Sequence, residues 1–214
     1  MSGAGRVWRA FLFAIVLQVG ILDGAHAQSS PAESPYLYGI HDADPNPQEF
    51  LNHLTQGGTT GWITATVAIG SDPADSAGGN FTDFSNQGHS VIVRLNNDYC
   101  PGGSIPVREK YGDFARRAAN YVAATQGANL FVIGNETNLS WEWPVVGGRQ
   151  KYVSPQDYAD LFRQTYNEIK QVRPDAKVLV QALAPFAGPY SEGTSCDGGI
   201  PADAQPLNWV QYMN

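Results

Sequence analysis

Basic side chains are scarce in this sequence. Its 214 residues include 13 Lys or Arg against 20 Asp or Glu, a formal net charge of -7. No Lys/Arg cluster is present to neutralise phosphates, which argues against a nucleic-acid or anionic-membrane partner. Charged residues of both signs make up only 15 % of the chain, too few for a disordered or coiled-coil composition. The dinucleotide fingerprint G-x-G-x-x-G is missing after the first strand candidate, where Gly39-Ile40-His41-Asp42 stands, and G-x-x-x-x-G-K-[ST] occurs nowhere. Both absences weaken any nucleotide-binding reading, and no cofactor is expected. Cysteine is nearly absent too, with only Cys100 and Cys196. Neither has a second Cys or a His at ligand spacing, so no metal site is expected.

Long apolar runs are confined to the N-terminus. Arg6 and Arg9 precede an apolar stretch from Ala10 to Leu22, and Ala25-His26-Ala27 offers the small residues that a signal peptidase reads. Residues 1–27 are expected to be a secretory signal peptide, too short and wrongly flanked for a membrane anchor. Removing 27 of 214 residues leaves 187, with no later run able to cross a bilayer. An exported, extracytoplasmic protein is therefore expected, and export favours a disulfide between Cys100 and Cys196, contributing ~4 kcal/mol on the chain-entropy model. The Ser/Pro-rich segment 28–35 reads as a flexible leader to a domain over 36–214.

What is present is aromatic and apolar: 5 Trp, 10 Tyr and 9 Phe within 43 % hydrophobic residues, enough for a packed core. Short apolar runs at Tyr36–Ile40, Trp62–Ile69, Val91–Leu95, Leu130–Ile133 and Val178–Ala182 read as strands covered on both faces. Helices alternate with them. Asn46-Pro47-Gln48-Glu49 and Ser154-Pro155-Gln156-Asp157 each place an N-cap, a Pro and an acid in the first turn. Amphipathic stripes follow at Tyr111, Phe114, Ala118, Tyr121 and Val122, and at Tyr158, Leu161, Phe162, Thr165, Tyr166, Ile169 and Val172. A short helix is expected at Asp83–Gln87, and another begins near Leu207. Repeated β-α units imply an α/β fold with a parallel sheet, either open and doubly wound or closed as a barrel.

Every strand candidate runs into polar residues: His41 and Asp42, Ser71 and Asp72, Asn96, Asn97 and Asp98, Asn135 and Glu136, and Gln181 near the end of the fifth. In a (β/α)₈ barrel such positions converge on one face, where active sites are built. The fourth strand, Leu130-Phe131-Val132-Ile133-Gly134, closes in Asn135-Glu136 and leads into Thr137-Asn138-Leu139-Ser140-Trp141-Glu142-Trp143-Pro144. This resembles the large clan of retaining (β/α)₈ (TIM-barrel) glycoside hydrolases, whose acid/base is the Glu of an Asn-Glu pair closing strand four. Their nucleophile is a second Glu closing strand seven. Where the clan often has Pro after the first Glu, this chain has Thr137.

The resemblance implies that Glu136 is the general acid/base and that Asn135 hydrogen-bonds the sugar 2-hydroxyl. A Glu at a barrel mouth walled by aromatics is desolvated, as an acid that must stay protonated requires. His41, Asp42, Asn96 and Asn97 are candidate substrate contacts. Trp141 and Trp143 are candidate walls for stacking on sugar faces, with ordinary core packing the alternative. Glu142 reads as a rim residue. Gly193-Thr194-Ser195-Cys196-Asp197 lacks the second Gly of a nucleophile elbow, and His89, ahead of the third strand, is expected to be structural.

A full barrel takes about 250 residues and eight strands, whereas five strands are legible here. The chain is thus expected to be the N-terminal portion, a fragment, of a secreted glycoside hydrolase acting on an oligo- or polysaccharide, and inactive alone for want of the nucleophile. The competing expectation is a non-catalytic carbohydrate- or cell-wall-binding protein with the same aromatic-rimmed face.

Overall fold

A computed structural model describes residues 39–41, 60–185 and 212–213. Segments 1–27 and 28–35, the helix expected from Asn46, Asp42, Cys196 and the Ser195 region lie outside the described residues. Among the described residues no helix is long and apolar enough to cross a membrane.

The elements in chain order are β1 (Gly39–His41), β2 (Trp62–Ala68), α1 (Thr82–Asn86), β3 (Ser90–Asn96), α2 (Tyr111–Ala124), β4 (Leu130–Ile133), β5 (Val145–Val146), β6 (Arg149–Gln150), α3 (Pro155–Val172) and β7 (Lys177–Val180). The fold is α/β. Five strands form one parallel sheet in the order β1-β2-β3-β4-β7, while β5 and β6 make a separate antiparallel hairpin.

Strand order decides where the helices go. The sheet advances one strand at a time without reversal, so right-handed crossovers place α1, α2 and α3 on the same face. Val91, Val93 and Leu95 of β3 and Phe131 and Ile133 of β4 are buried in one cluster with Phe114, Ala118 and Val122 of α2 and Leu161 and Ile169 of α3. The other face is different. Register aligns Thr64, Ile92, Leu130 and Lys177 in one row and Thr66, Arg94, Val132 and Leu179 in the next. None of these eight is buried.

The expectation of strands covered on both faces is therefore corrected: among the described residues, helices cover one face only. Polar Thr64 and Thr66 on β2, and Arg94 between buried Val93 and Leu95 on β3, are the residues that record this. A doubly wound sheet would need the strand order to reverse, and it does not.

Helix α3 starts where its sequence says it should. The Asp157 amide donates to Ser154 Oγ at 3.1 Å and the Ser154 amide donates to Asp157 Oδ2 at 3.1 Å, a complete capping box with Pro155 at the first helical position. Ser154→Ala leaves the Asp157 amide without its side-chain acceptor, while the residue-154 amide keeps Asp157 Oδ2. A loss of about 1 kcal/mol is expected in urea unfolding of the full chain, with an unchanged midpoint arguing that the box is dispensable.

Candidate active site

The polar residues expected at the strand ends are brought to one end of the sheet, but they do different jobs. His41 closes β1 in an exposed position opposite Thr64. Asn97 is spent on its own loop: Ser71 Oγ donates to its Oδ1, its Nδ2 donates to the Gly102 carbonyl at 3.2 Å, and its amide donates to the Ser104 carbonyl at 2.7 Å. It clamps residues 97–104 against the end of β2. Asn96 is buried at the end of β3, in the alternation that puts Arg94 on the uncovered face, and its Oδ1 has no partner among the described residues. A buried, unpaired acceptor costs about 1–3 kcal/mol, so this is a place where a ligand hydroxyl or water gains a bond.

The turn after β4 is the most constrained part of the site. Gly134 takes φ 75 and Glu136 takes φ 38, the latter being the only non-glycine with positive φ among the described residues. A Cβ on Gly134 would also sit 3.0 Å from Ile105 Cγ2. Holding a glutamate in the left-handed region costs on the order of 1–3 kcal/mol and persists only where surroundings impose it. They do so here. The Glu136 amide donates to the Ala182 carbonyl at 3.1 Å, and the Leu139 amide donates back to the Glu136 carbonyl at 2.7 Å. Thr137 donates its amide to Gln181 Oε1 at 3.1 Å, a bond that a proline at this position could not make.

Gln181, read as a strand-end polar group, proves to be scaffolding. Its Nε2 donates to Thr137 Oγ1, which in turn bonds the Tyr212 hydroxyl at 2.9 Å, and that hydroxyl donates to the Ser154 carbonyl at 3.1 Å. Since the single Tyr212 proton goes to the Ser154 carbonyl, Thr137 Oγ1 donates to the Tyr212 oxygen. Burial pushes the Tyr212 phenol well above its ordinary range, so the chain of bonds stays neutral and keeps this direction.

Glu142 is the functional-looking residue that the sequence pattern places on the rim. A short 3₁₀ turn, Ser140–Glu142, folds it back toward the strand end. There Asn135 Nδ2 donates to its Oε1 at 2.8 Å. Ser104 locks both partners, its amide donating to the Glu142 carbonyl at 3.0 Å and its hydroxyl to the Asn135 carbonyl at 2.9 Å. Burial raises the Glu142 carboxyl above the ordinary glutamate value. The Asn135 bond opposes this, the Glu136 charge adds to it, and Ser104 and the Arg94 charge lower it. The signal available in sequence is an acid between two tryptophans, seven residues beyond the strand-end Asn.

Of those tryptophans only one can meet a ligand. Trp141 is 49 % exposed, whereas Trp143 is fully buried. Trp143 donates its indole Nε1 to the Thr137 carbonyl at 2.8 Å and packs edge-on against Tyr152 with ring centroids 5.0 Å apart. The expectation that Trp143 walls a sugar subsite is corrected: its ring holds the site loop to the core. Tyr99, not anticipated, is 54 % exposed on the loop that Asn97 clamps.

The remaining expectations concern residues away from this end. His89 is buried at the start of β3, accepting the Gly61 amide on Nδ1 at 3.2 Å, and burial lowers its pKa. It is structural. Cys100 is not a free thiol, and Cys196 lies outside the described residues. Among the described residues no group of three or more His, Cys, Asp or Glu is placed to hold a metal ion.

The site thus offers two carboxylates, Glu136 and Glu142, around one amide, with an exposed indole beside them and an arginine on the uncovered sheet face. No protein-family model matches the sequence, and no curated protein matches it either.

Proposed function

We propose that this chain carries the acid/base half of a secreted, retaining glycoside hydrolase of (β/α)₈ architecture, acting on an oligo- or polysaccharide without a cofactor. The carrying observation is Glu136 itself: a glutamate closing the fourth strand of an unreversed parallel sheet, held at φ 38 by bonds from its neighbours. Five strands advancing in order, with helices on one face only, are what consecutive barrel units give, and the uncovered face corresponds to a barrel interior.

In this reading Glu136 donates a proton to the glycosidic oxygen as the bond to the anomeric carbon breaks. A second carboxylate roughly 5–5.5 Å away takes the anomeric carbon, and Glu136 then draws a proton from the water that releases the sugar. Asn135 offers its remaining N–H to the sugar hydroxyl next to the reacting carbon. Trp141 supplies an apolar platform, as ring faces do for sugars. The second carboxylate belongs to the strands that complete the barrel.

The test is turnover of a panel of aryl glycosides by the full-length gene product, with the first-formed anomer followed by proton NMR. Retention of configuration is expected; inversion overturns the assignment, because it requires a wider carboxylate spacing. The exposed rings of Trp141 and Tyr99 also suit a non-catalytic carbohydrate-binding protein. That alternative gains if oligosaccharides bind in calorimetry without turnover and Glu136→Gln leaves the affinity unchanged.

A further inference from the structure

We propose that Glu142 is a positioning residue for Asn135, fixing the orientation of its side-chain amide by a hydrogen bond. The inference rests on the glycosidase reading for its purpose, while its geometry stands independently. Asn135 follows the last residues of β4 and has a two-donor, one-carbonyl head that could turn over. Glu142 accepts from Nδ2 at 2.8 Å. That bond distinguishes the two ends of the amide, because a carboxylate cannot donate to Oδ1. The Asn135 head therefore presents one defined N–H and one defined oxygen to a ligand.

The acceptor is itself immobilised. Ser104 takes the Glu142 carbonyl with its amide at 3.0 Å and the Asn135 carbonyl with its hydroxyl at 2.9 Å, so donor and acceptor hang from one residue. The fully buried Trp143 that follows Glu142 ties the same turn to the core through its bond to the Thr137 carbonyl. Four groups face its carboxyl: Asn135 and Glu136 from the turn after β4, Ser104 from the loop after β3, and Arg94 from β3. Among them Glu136 is the only other acid. Burial and the Glu136 charge raise the Glu142 carboxyl, while the Asn135 bond, Ser104 and the Arg94 charge lower it.

Glu142→Gln keeps an acceptor oxygen for Asn135 Nδ2, whereas Glu142→Leu removes it. The side-chain amide of Asn135 in the full chain, labelled with nitrogen-15 at Asn, is followed by NMR. In Glu142→Gln its signals are expected to stay as sharp as in the parent; in Glu142→Leu they are expected to broaden or split as the head reorients. Signals indifferent to Glu142→Leu overturn the proposal. If the gene product turns over no glycoside, the glycosidase reading fails while the Asn135 signals still decide this one. Circular dichroism of each variant shows whether Glu142→Leu remains folded; if it does not, Glu142→Met, closer in shape, takes its place, and unchanged Asn135 signals in it overturn the proposal.

Discussion

Glu136→Gln is expected to lower kcat/KM on glycosides with alkyl or sugar leaving groups by about 10²–10⁴-fold in the full-length gene product. Glutamine fills the same volume and takes the same backbone conformation, so the loss reads proton transfer and leaves folding untouched. The size must depend on the leaving group. A sugar alkoxide departs only with a proton, whereas an acidic nitrophenol leaves almost unaided, so the first step on nitrophenyl substrates should suffer far less. A uniform loss across leaving groups would point to a positioning role, and a loss under about 10-fold on unactivated substrates would remove Glu136 as the acid. The same residue should separate activity from stability. Because Glu136 sits at φ 38, Glu136→Gly relieves backbone strain and is expected to raise unfolding stability by ~1 kcal/mol while abolishing turnover. A residue kept against its own backbone preference is one that the fold retains for some other purpose.

The elements themselves were legible because their signals are local. Leu130–Ile133 is found where its apolar run says, Trp62–Ala68 ends one residue short of the expected strand, and Ser90–Asn96 and Lys177–Val180 differ from theirs by one or two residues at both ends. The α3 cap was legible for the same reason, since a capping box spans four consecutive residues. The hairpin of β5 and β6 was not anticipated, because two-residue strands carry no periodicity. Gly147 and Gly148, at φ 58 and 74, were its one cue, a Gly-Gly turn of the type that suits tight hairpins. The two-sided strands were a misreading of another kind: apolar Val, Ile and Leu suggested full burial, but Thr66 and Arg94 in register on neighbouring strands required one polar-tolerant face. In the site, Glu136 was legible by its position at a strand end. Glu142 and Trp143 were not, since whether Trp-Glu-Trp points its middle residue in or out depends on a single 3₁₀ turn.

Arg117→Leu is expected to destabilise the full chain by about 2–4 kcal/mol. Arg117 lies on α2, almost fully buried, and its guanidinium closes the loop that follows β2. Nε donates to the Ile69 carbonyl at 3.0 Å, Nη1 to the Ala77 carbonyl at 2.9 Å, and Nη2 pairs with Asp75 Oδ2 at 2.8 Å. Leucine fills part of the volume but donates nothing, leaving two carbonyls and a carboxylate to find other partners. The carboxylate can: Asp75 is partly solvated, so the ion pair contributes less than the two carbonyl bonds. Asp75→Asn should consequently cost no more than about 1 kcal/mol, and the unequal response of the two partners is the signature to look for in urea unfolding. Equal losses would mean that the charge pair dominates. A loss under ~0.5 kcal/mol for Arg117→Leu would show the loop to be held by other means. The consequence reaches the site through backbone alone: the Ile69 and Gly70 amides donate to the Asn96 and Asn97 carbonyls at 2.9 and 2.8 Å, so the segment that Arg117 anchors also sets the end of β3. Releasing it should therefore loosen the end of β3, whose Leu95 carbonyl accepts the Gly134 amide at 2.9 Å, at temperatures well below global unfolding.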